Sequence, residues 1–343
     1  MVFEGFPLVI GWELTLACNL RCGHCASSAG TPRNNEFTLD EAINLCNQFP
    51  ALLVQEVDFT GGEPLLNPNW IKIAARLGEL KIPIRMVTNG LLLEESIRRL
   101  LKAKIATVGV SLDGLEATHD HIRKRPGLFN EITRGIRAAI KAGIPTAIIT
   151  AVNDLNADEL PELFKYIQSL GVRHWQVQPT FSLGRARSEG ELTLSNASFM
   201  KLGRFIYDNV DYCQNTGFSM LPADGVGYYT FLDTRSPAWK GCGAGRASCG
   251  ITSDGKVKGC LSYPDNLIEG DLRQRDLWDI WFDDRSFAYN RIFSVKELGK
   301  ECAGCEYSEQ CMGGCGVMSI AANGCFHNDP YCFHRILKGR SFS

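Results

Sequence analysis

The sequence has no long apolar run, no marked excess of charge of either sign and no basic segment at its start. Among its 343 residues, 36 are basic and 38 are acidic, a formal charge of −2, which gives no positive footprint for nucleic acid or anionic membranes. No window approaches the roughly 18 apolar residues of a membrane span, and no secretion signal precedes the first apolar segment. We therefore expect a cytoplasmic protein with neither nucleic-acid nor membrane partners.

Cysteine is almost missing from the middle of the chain, although fourteen cysteines are present. Three lie between residues 18 and 25, nine lie between 242 and 332, and only Cys46 and Cys213 stand apart. A long chain without a secretion signal favours metal ligation or redox chemistry over a disulfide framework. Cys46 is interpreted as a helical core residue and Cys213 as a spare thiol.

The first 180 residues alternate between strand-like and helix-like segments. The predicted strands are Leu8–Leu16, Val54–Phe59, Ile84–Thr88, Ile105–Ser111, Ala147–Ala151 and His174–Gln178. The predicted helices are Leu39–Phe49, Trp70–Leu80, Glu94–Lys102, Asn130–Ala142 and Ala157–Leu170, with Thr38 and Asn156 as candidate caps. Apolar strands separated by amphipathic helices predict an α/β fold with a parallel sheet. Six such units are too few for a closed eight-unit barrel, so we expect a partial TIM-like barrel with functional residues at its carboxyl edge.

The remainder of the chain changes in character. From 181 to 235 the pattern weakens to a bridging segment with one good helix at Asn196–Tyr212, and 236–343 is rich in cysteine and glycine. A region so poor in long apolar runs is better explained by metal clusters that hold it together. We therefore predict three parts: the barrel at 1–180, the bridge at 181–235 and a small cysteine-rich domain at 236–343.

The first cysteine group, Cys18, Cys22 and Cys25, directly follows the first predicted strand. Three thiolates are one short of a closed structural zinc site, whereas a [4Fe–4S] cluster with three protein ligands leaves one iron open. On spacing alone, a zinc site completed by His24 or by a distant residue is the alternative. After the second strand comes Thr60-Gly61-Gly62-Glu63-Pro64, where glycines allow close backbone approach.

Together these two motifs resemble the cluster loop and the GGEP turn of the radical SAM superfamily. The resemblance implies that S-adenosylmethionine (SAM) chelates the open iron and that His24 packs against the cluster. Ser111 is expected near the ribose or carboxylate of the cofactor, and Arg123 could pair with that carboxylate. The full set of implied cofactor contacts is Gly61, Gly62, Glu63, Pro64, Asn89, Ser111, Arg123, Asn153 and Gln178. The polar ones beyond the GGEP turn could equally be turn or cap residues.

The spacing of the cysteines between residues 242 and 332 resembles that of the SPASM extension of radical SAM proteins. By position, one auxiliary cluster would use Cys242, Cys249, Cys260 and Cys315, and the other Cys302, Cys305, Cys311 and Cys332. Cys325 is left over and could replace Cys332, although the Asp329-Pro330-Tyr331-Cys332 setting better resembles the final ligand of the family. Zinc is the alternative here because C-x2-C pairs often bind it. The resemblance thus implies three [4Fe–4S] clusters.

The chemistry implied by the resemblance is reductive cleavage of SAM to a 5′-deoxyadenosyl radical, which abstracts hydrogen from a substrate C–H bond, with a flavodoxin- or ferredoxin-type protein as reductant. Leu261 occupies the place where sulfatase-maturing relatives carry an aspartate, which disfavours formylglycine formation. The short segment before the first strand predicts no fused leader-binding domain, so a separate leader-peptide-binding protein is a possible partner. No catalytic acid or base is identified, and Arg185, Asp224, Tyr228 and Tyr229 are assigned no role.

Modification of a ribosomally made peptide, by cross-linking, epimerisation or oxidation, is the favoured interpretation of the sequence. Radical modification of a small molecule, such as a tetrapyrrole side chain, a sugar alcohol or a cofactor precursor, is the alternative. A non-catalytic metal-binding or electron-transfer protein is a more remote third.

Overall fold

The computed structural model describes residues 5–190, 192–223, 226 and 241–339. Among these residues, ten strands form one open sheet that is mostly parallel. The strands are β1 (Val9–Thr15), β2 (Glu56–Gly61), β3 (Ile84–Thr88), β4 (Thr107–Ser111), β5 (Thr146–Val152), β6 (His174–Pro179), β7 (Ser219–Pro222), β8 (Ser248–Ile251), β9 (Lys256–Lys258) and β10 (Gly270–Asp271). The predicted α/β class, with a partial barrel followed by a cysteine-rich region, is confirmed.

The sheet order is β10-β9-β8-β1-β2-β3-β4-β5-β6-β7. Strands β1 to β7 run parallel in chain order, while β8 lies parallel to β1 on its other side, with Cys249 opposite Ile10. The cysteine-rich region therefore extends the sheet of the first 180 residues instead of packing as a separate layer. The sequence pattern did not predict β7 because this edge strand has few buried side chains, with Leu221 52% exposed.

Helices cover the sheet between successive parallel strands, as right-handed βα repeats require. The α-helices are α1 (Leu39–Gln48), α2 (Trp70–Glu79), α3 (Leu93–Lys102), α4 (Glu116–Arg123), α5 (Leu128–Lys141), α6 (Leu160–Ser169), α7 (Gly184–Glu189), α8 (Asn196–Thr216), α9 (Leu277–Trp281), α10 (Ala288–Arg291), α11 (Ser308–Cys311), α12 (Gly316–Asn323) and α13 (Phe333–Leu337). None of the described helices combines the length and the apolar character that a membrane crossing needs.

Two of the local predictions have different outcomes. Thr38 forms a capping box with Glu41 at the start of α1. Asn156 stands at the predicted N-cap position, before the short helical turn Ala157–Glu159, but makes no side-chain capping hydrogen bond. Its side-chain amide instead donates to the carbonyls of Asp113 at 2.6 Å and Ala151 at 2.9 Å. This amide therefore joins the segment that follows β4 to strand β5.

The main core lies between the sheet and its helices. Trp12 of β1 is 1% exposed and packs edge-on against Phe49, which follows α1, and Phe59 of β2. The sequence pattern does not predict helix α4, because two of its buried residues, His119 and Arg123, are polar and interrupt the helical spacing of apolar residues. These two buried polar residues lie at the carboxyl edge of the sheet.

Candidate active site

Two adjoining cavities lie at the carboxyl ends of the parallel strands and share Cys25, Ser111 and Arg123 in their linings. Their volumes are about 150 Å³ and about 230 Å³. The predicted site residues that line the first are Cys18, Cys22, Cys25, Gly61, Gly62, Asn89, Ser111 and Arg123; Gln178 lines the second. Residues at or just after the ends of β1 to β6 thus line these two cavities, as expected for this edge of a parallel sheet.

The cysteine loop after β1 is held in place by Arg185 of α7. The Arg185 guanidinium donates to the carbonyl of Cys22 at 2.8 Å and to that of Ala29 at 2.9 Å, and the Arg185 amide donates to the carbonyl of Cys25 at 3.0 Å. Arg185, to which the sequence assigned no role, therefore fixes the loop that carries the three cysteines.

The turn at Gly61 and Gly62 lies directly against the start of the same loop. A Cβ on Gly61 would lie 2.2 Å from the Thr15 carbonyl oxygen, and one on Gly62 would lie 2.3 Å from that of Ala17. The Gly62 amide donates to Thr15 at 2.8 Å and the Glu63 amide donates to Ala17 at 2.8 Å. The close approach leaves no room for a side chain, which is why glycine is needed here.

Glu63 lies beneath the first cavity instead of lining it. Its carboxylate is fully buried and accepts hydrogen bonds from the Thr88 hydroxyl and the Asn89 amide, both at 2.8 Å. Burial raises the pKa of Glu63 to about 7. Asn89, fixed in this way, donates through its side chain towards Cys18 Sγ at 3.7 Å and to Asn19 at 2.7 Å. Glu63 and the buried Pro64 thus shape the site without facing either cavity.

Asp113, which follows β4, connects His24 and Arg123 at the wall between the cavities. Arg123 donates to Asp113 Oδ2 through Nε at 2.8 Å and Nη2 at 2.7 Å, and His24 Nε2 lies 3.2 Å from the same oxygen. Burial alone would raise the pKa of Asp113, but Arg123 and His24 outweigh it and hold that pKa well below its usual range. Asp113 is therefore an ionised carboxylate 1% exposed at its side chain.

The last two predicted contacts differ in their surroundings. Asn153 is fully buried, and its side-chain oxygen accepts from the Leu155 amide at 3.0 Å, so it shapes the turn after β5. Gln178 lines the second cavity together with Thr180 and Ser262. The Thr180 hydroxyl is buried and has no hydrogen-bond partner among the described residues. An unpaired buried hydroxyl that faces a cavity is well placed to bind a ligand.

The cavity residues fit the cofactor that the sequence implies. Three thiols, the two glycines and Arg123 share one lining, and the buried His24 Nδ1 beside them has no hydrogen-bond partner among the described residues. Across the part of the chain that the structure describes, no group of three or more His, Cys, Asp or Glu side chains stands ready to hold a metal ion. The cluster ligands therefore stay predictions.

All fourteen cysteines lie among the described residues, and they form no disulfide there. Of the first auxiliary set, Cys315 is buried beside Tyr263, with Cys242 and Cys260 packed against the same small core. The Cys242 Sγ lies 3.7 Å from the Tyr263 hydroxyl. Cys249 belongs instead to the main core through its place in β8.

The second auxiliary set is gathered near Asp329 and Arg335. Burial raises the pKa of Cys302 to about 12, and the neighbouring Cys332 and Cys305 act in the same direction. Burial also raises the pKa of Cys311, with Cys332 and Cys302 adding to it. Cys325 is exposed and is not among these mutual neighbours. Cys332 remains the predicted ligand.

Sequence reasoning missed the roles of Arg185, Asp113, Thr180 and Ser262. An acidic residue directly after a strand, two positions beyond Ser111, is a usable sequence signal for Asp113. Ser262 carries no such signal, because its place in the cavity depends on how the chain folds back after Cys260. Asp224, Tyr228 and Tyr229 lie outside the described residues.

Comparison with known proteins gives two family matches. Residues 12–167 match the radical SAM superfamily, and residues 242–306 match SPASM, an iron–sulfur cluster-binding domain. The chain is 30% identical to the AdoMet-dependent heme synthase of Methanosarcina barkeri, across 96% of this chain and 97% of that protein. It is 25% identical to the pre-heme d1 synthase of Dinoroseobacter shibae, across 95% and 86% of the two chains.

One further relative and one solved structure have names connected with maturation or a precursor peptide. The mycofactocin maturase MftC of Mycobacterium tuberculosis is 26% identical, across 90% of this chain and 78% of MftC. The crystal structure of Streptococcus suis SuiB bound to precursor peptide SuiA superposes with a TM-score of 0.75 at 19% identity, across 96% and 76% of the two chains. At this identity the SuiB likeness concerns the fold alone.

Proposed function

Because the chain belongs to the radical SAM superfamily and carries a SPASM domain, we propose that it abstracts hydrogen from a side chain of a tetrapyrrole. It is an enzyme that uses SAM and iron–sulfur clusters. The observation that carries the substrate class is the end-to-end similarity to an AdoMet-dependent heme synthase, which spans 97% of that relative. The similarity to a pre-heme d1 synthase supports the same class.

Peptide modification, favoured by the sequence alone, is the second candidate. Its specific support is the similarity to MftC, which covers 90% of this chain but only 78% of the relative. The heme synthase match is stronger in identity and leaves almost no part of either chain unmatched. A tetrapyrrole is therefore the better candidate, and a separate leader-peptide-binding protein belongs to the second candidate only.

In the proposed site, Cys18, Cys22 and Cys25 would hold the first cluster, and SAM bound to it would supply a 5′-deoxyadenosyl radical for hydrogen abstraction from a C–H bond. The backbone at Gly61 and Gly62 would meet the methionine end of the cofactor, since both glycines line the first cavity beside the three cysteines. Asn89, Ser111, Arg123 and Gln178 contribute polar groups to the cavity walls. Glu63, Pro64 and Asn153 act by holding these walls.

Two auxiliary [4Fe–4S] clusters complete the proposed set of three. Their ligands are Cys242, Cys249, Cys260 and Cys315 for one, and Cys302, Cys305, Cys311 and Cys332 for the other. Fully cysteine-ligated clusters suit electron transfer, which a substrate radical requires if an electron must leave it. A flavodoxin- or ferredoxin-type protein would deliver electrons to the first cluster. The proposed divisions of the chain stay at 1–180, 181–235 and 236–343.

The test is anaerobic turnover of the reconstituted enzyme with iron coproporphyrin III, an iron tetrapyrrole that carries propionate side chains. We expect 5′-deoxyadenosine formation that depends on this substrate, a mass change in the tetrapyrrole, and deuterium transfer into 5′-deoxyadenosine when the side chains are deuterated. A Cys22→Ala variant is the control for cluster-dependent chemistry. Turnover of a peptide encoded beside the gene, with none of the tetrapyrrole, would establish the second candidate instead.

A further inference from the structure

Asp113 is fixed from every side at the wall of the proposed cofactor cavity. Its Oδ2 receives Arg123 and lies 3.2 Å from His24 Nε2, and its Oδ1 accepts from the Ala151 amide at 3.0 Å. Its backbone amide donates to His119 Nδ1 at 3.0 Å, and its carbonyl accepts from Asn156 at 2.6 Å. Both carboxylate oxygens and the backbone of Asp113 are thus held by hydrogen bonds or ion pairs.

Arg123 joins this carboxylate to the cysteine loop. While Nε and Nη2 bind Asp113, the third nitrogen, Nη1, lies 3.8 Å from Cys22 Sγ. The Arg123 side chain is 8% exposed and that of Asp113 is 1% exposed. The guanidinium is thus held with one edge on the carboxylate and its remaining end towards a predicted cluster ligand.

A buried ion pair of this kind is a poor device for stability, since the cost of removing two charges from water offsets their attraction. Such a pair can instead affect the reduction potential of a neighbouring redox centre. Hydrogen bonds to cluster sulfurs and net charge nearby set the reduction potential of an iron–sulfur cluster, and groups outside the ligand shell tune a metal site through its ligands. In a water-poor interior such charges are weakly screened.

We propose that Asp113 is a positioning residue that directs Arg123 towards Cys22 and neutralises its charge, and so sets the reduction potential of the first cluster. The inference rests on the proposed placement of that cluster at Cys18, Cys22 and Cys25, and not on the identity of the substrate. With Asp113 present, the pair adds an oriented N–H group beside the sulfur but no net charge.

The charge balance predicts opposite effects for the two partners. Asp113→Asn keeps an oxygen that can accept from Arg123 but leaves the guanidinium uncompensated, which favours the reduced cluster and moves its midpoint potential in the positive direction. Arg123→Gln removes the positive charge and leaves the carboxylate, which moves the potential in the negative direction. The double variant restores neutrality and should fall between the two single variants.

The experiment is a redox titration of the holoenzyme followed by EPR. In the wild-type enzyme, the first-cluster signal is the one that changes when SAM is added and that is missing from a Cys22→Ala variant. That signal is then titrated without SAM in each variant, after iron content has been measured. Glu131→Gln is the matched control, because it also removes a carboxylate opposite an arginine, Arg125, at 3.0 Å, but away from the cavity linings.

Opposite shifts in the two single variants, with no shift in Glu131→Gln, would support the inference. Shifts of the same sign, or no shift in variants that retain their iron, would overturn it. If Asp113→Asn does not retain iron, Arg123→Gln decides alone: a positive shift or none overturns the inference. A wild-type enzyme without any SAM-responsive signal would overturn the cofactor assignment and this inference with it, whereas failure of the tetrapyrrole assay affects the substrate alone.

Discussion

Ser253, in the turn between β8 and β9, binds Glu13 of β1 across a sequence separation of 240 residues, with its amide at 3.1 Å and its hydroxyl at 2.9 Å from Glu13 Oε1. The same carboxylate receives Arg33 Nε at 2.6 Å. Glu13 is 4% exposed. The cysteine loop that contains Arg33 and the hairpin between Cys249 and Cys260 are thus joined through one buried carboxylate.

Replacing the Glu13 carboxylate should destabilise the fold, because it removes hydrogen bonds to Arg33 and Ser253. We expect Glu13→Gln to lower the free energy of unfolding by about 2 kcal/mol, because hydrogen bonds to a buried charged group are worth roughly 1.5–3 kcal/mol. Urea unfolding of the iron-loaded protein measures it. Glu79→Gln, which breaks the exposed pair with Arg76, is the control and should cost about 0.5 kcal/mol or less. Equal effects in the two variants would contradict the role given to Glu13.

Gly62, in the turn proposed to meet the cofactor, should not tolerate substitution even by alanine. In Gly62→Ala the added Cβ would lie 2.3 Å from the Ala17 carbonyl oxygen, which is backbone and cannot swing away. We expect loss of iron from the first cluster and loss of SAM binding, measured by iron analysis and equilibrium binding.

Gly78→Ala, in helix α2, is the matched control for that substitution. An added Cβ there meets nothing within 4 Å, and alanine is favoured over glycine in a helix by roughly 0.5–1 kcal/mol. It should therefore leave SAM binding unchanged and stabilise the protein slightly. Normal SAM binding by Gly62→Ala would mean that the turn does not approach the cysteine loop as closely as described.

The last auxiliary ligand can be decided by two serine variants. Cys332 is partly buried beside Arg335, Asp329 and Cys305, whereas Cys325 is exposed. We expect Cys332→Ser to lower the iron content of the reconstituted enzyme, by up to about four atoms if the [4Fe–4S] cluster is lost, and Cys325→Ser to leave it unchanged. The reverse result would make Cys325 the ligand.

We expect Thr180 and Ser262 to contribute to substrate binding and not to the stability of the fold. They line the second cavity but not the one that contains Gly61 and Gly62. Thr180→Val removes a buried hydroxyl without a partner among the described residues, so stability should hold or rise, while KM for the substrate increases. Ser262→Ala should raise the same KM. If KM for SAM rises instead, this end of the cavity belongs to the cofactor.

Most of the fold could be predicted from periodicity. Strand β3 is predicted at its observed bounds, Ile84–Thr88, because the buried Ile84, Met86 and Thr88 alternate with partly exposed residues in the two-residue period of a strand. Strand β7 and helix α4 were missed because one lies at the sheet edge and the other buries His119 and Arg123. In both, contacts from elsewhere in the chain replace the apolar pattern.

The sequence by itself determined the family, the three groups of cysteines and the turn at Gly61 and Gly62, because such spacings and glycines are local requirements of the chemistry. Only the tertiary structure decided what surrounds them. Arg185 on the cysteine loop, Asp113 behind Arg123, and Ser262 in the second cavity are each brought there by chain segments far apart in sequence. Local periodicity does not predict such long-range contacts, because they depend on the order of the strands in the sheet.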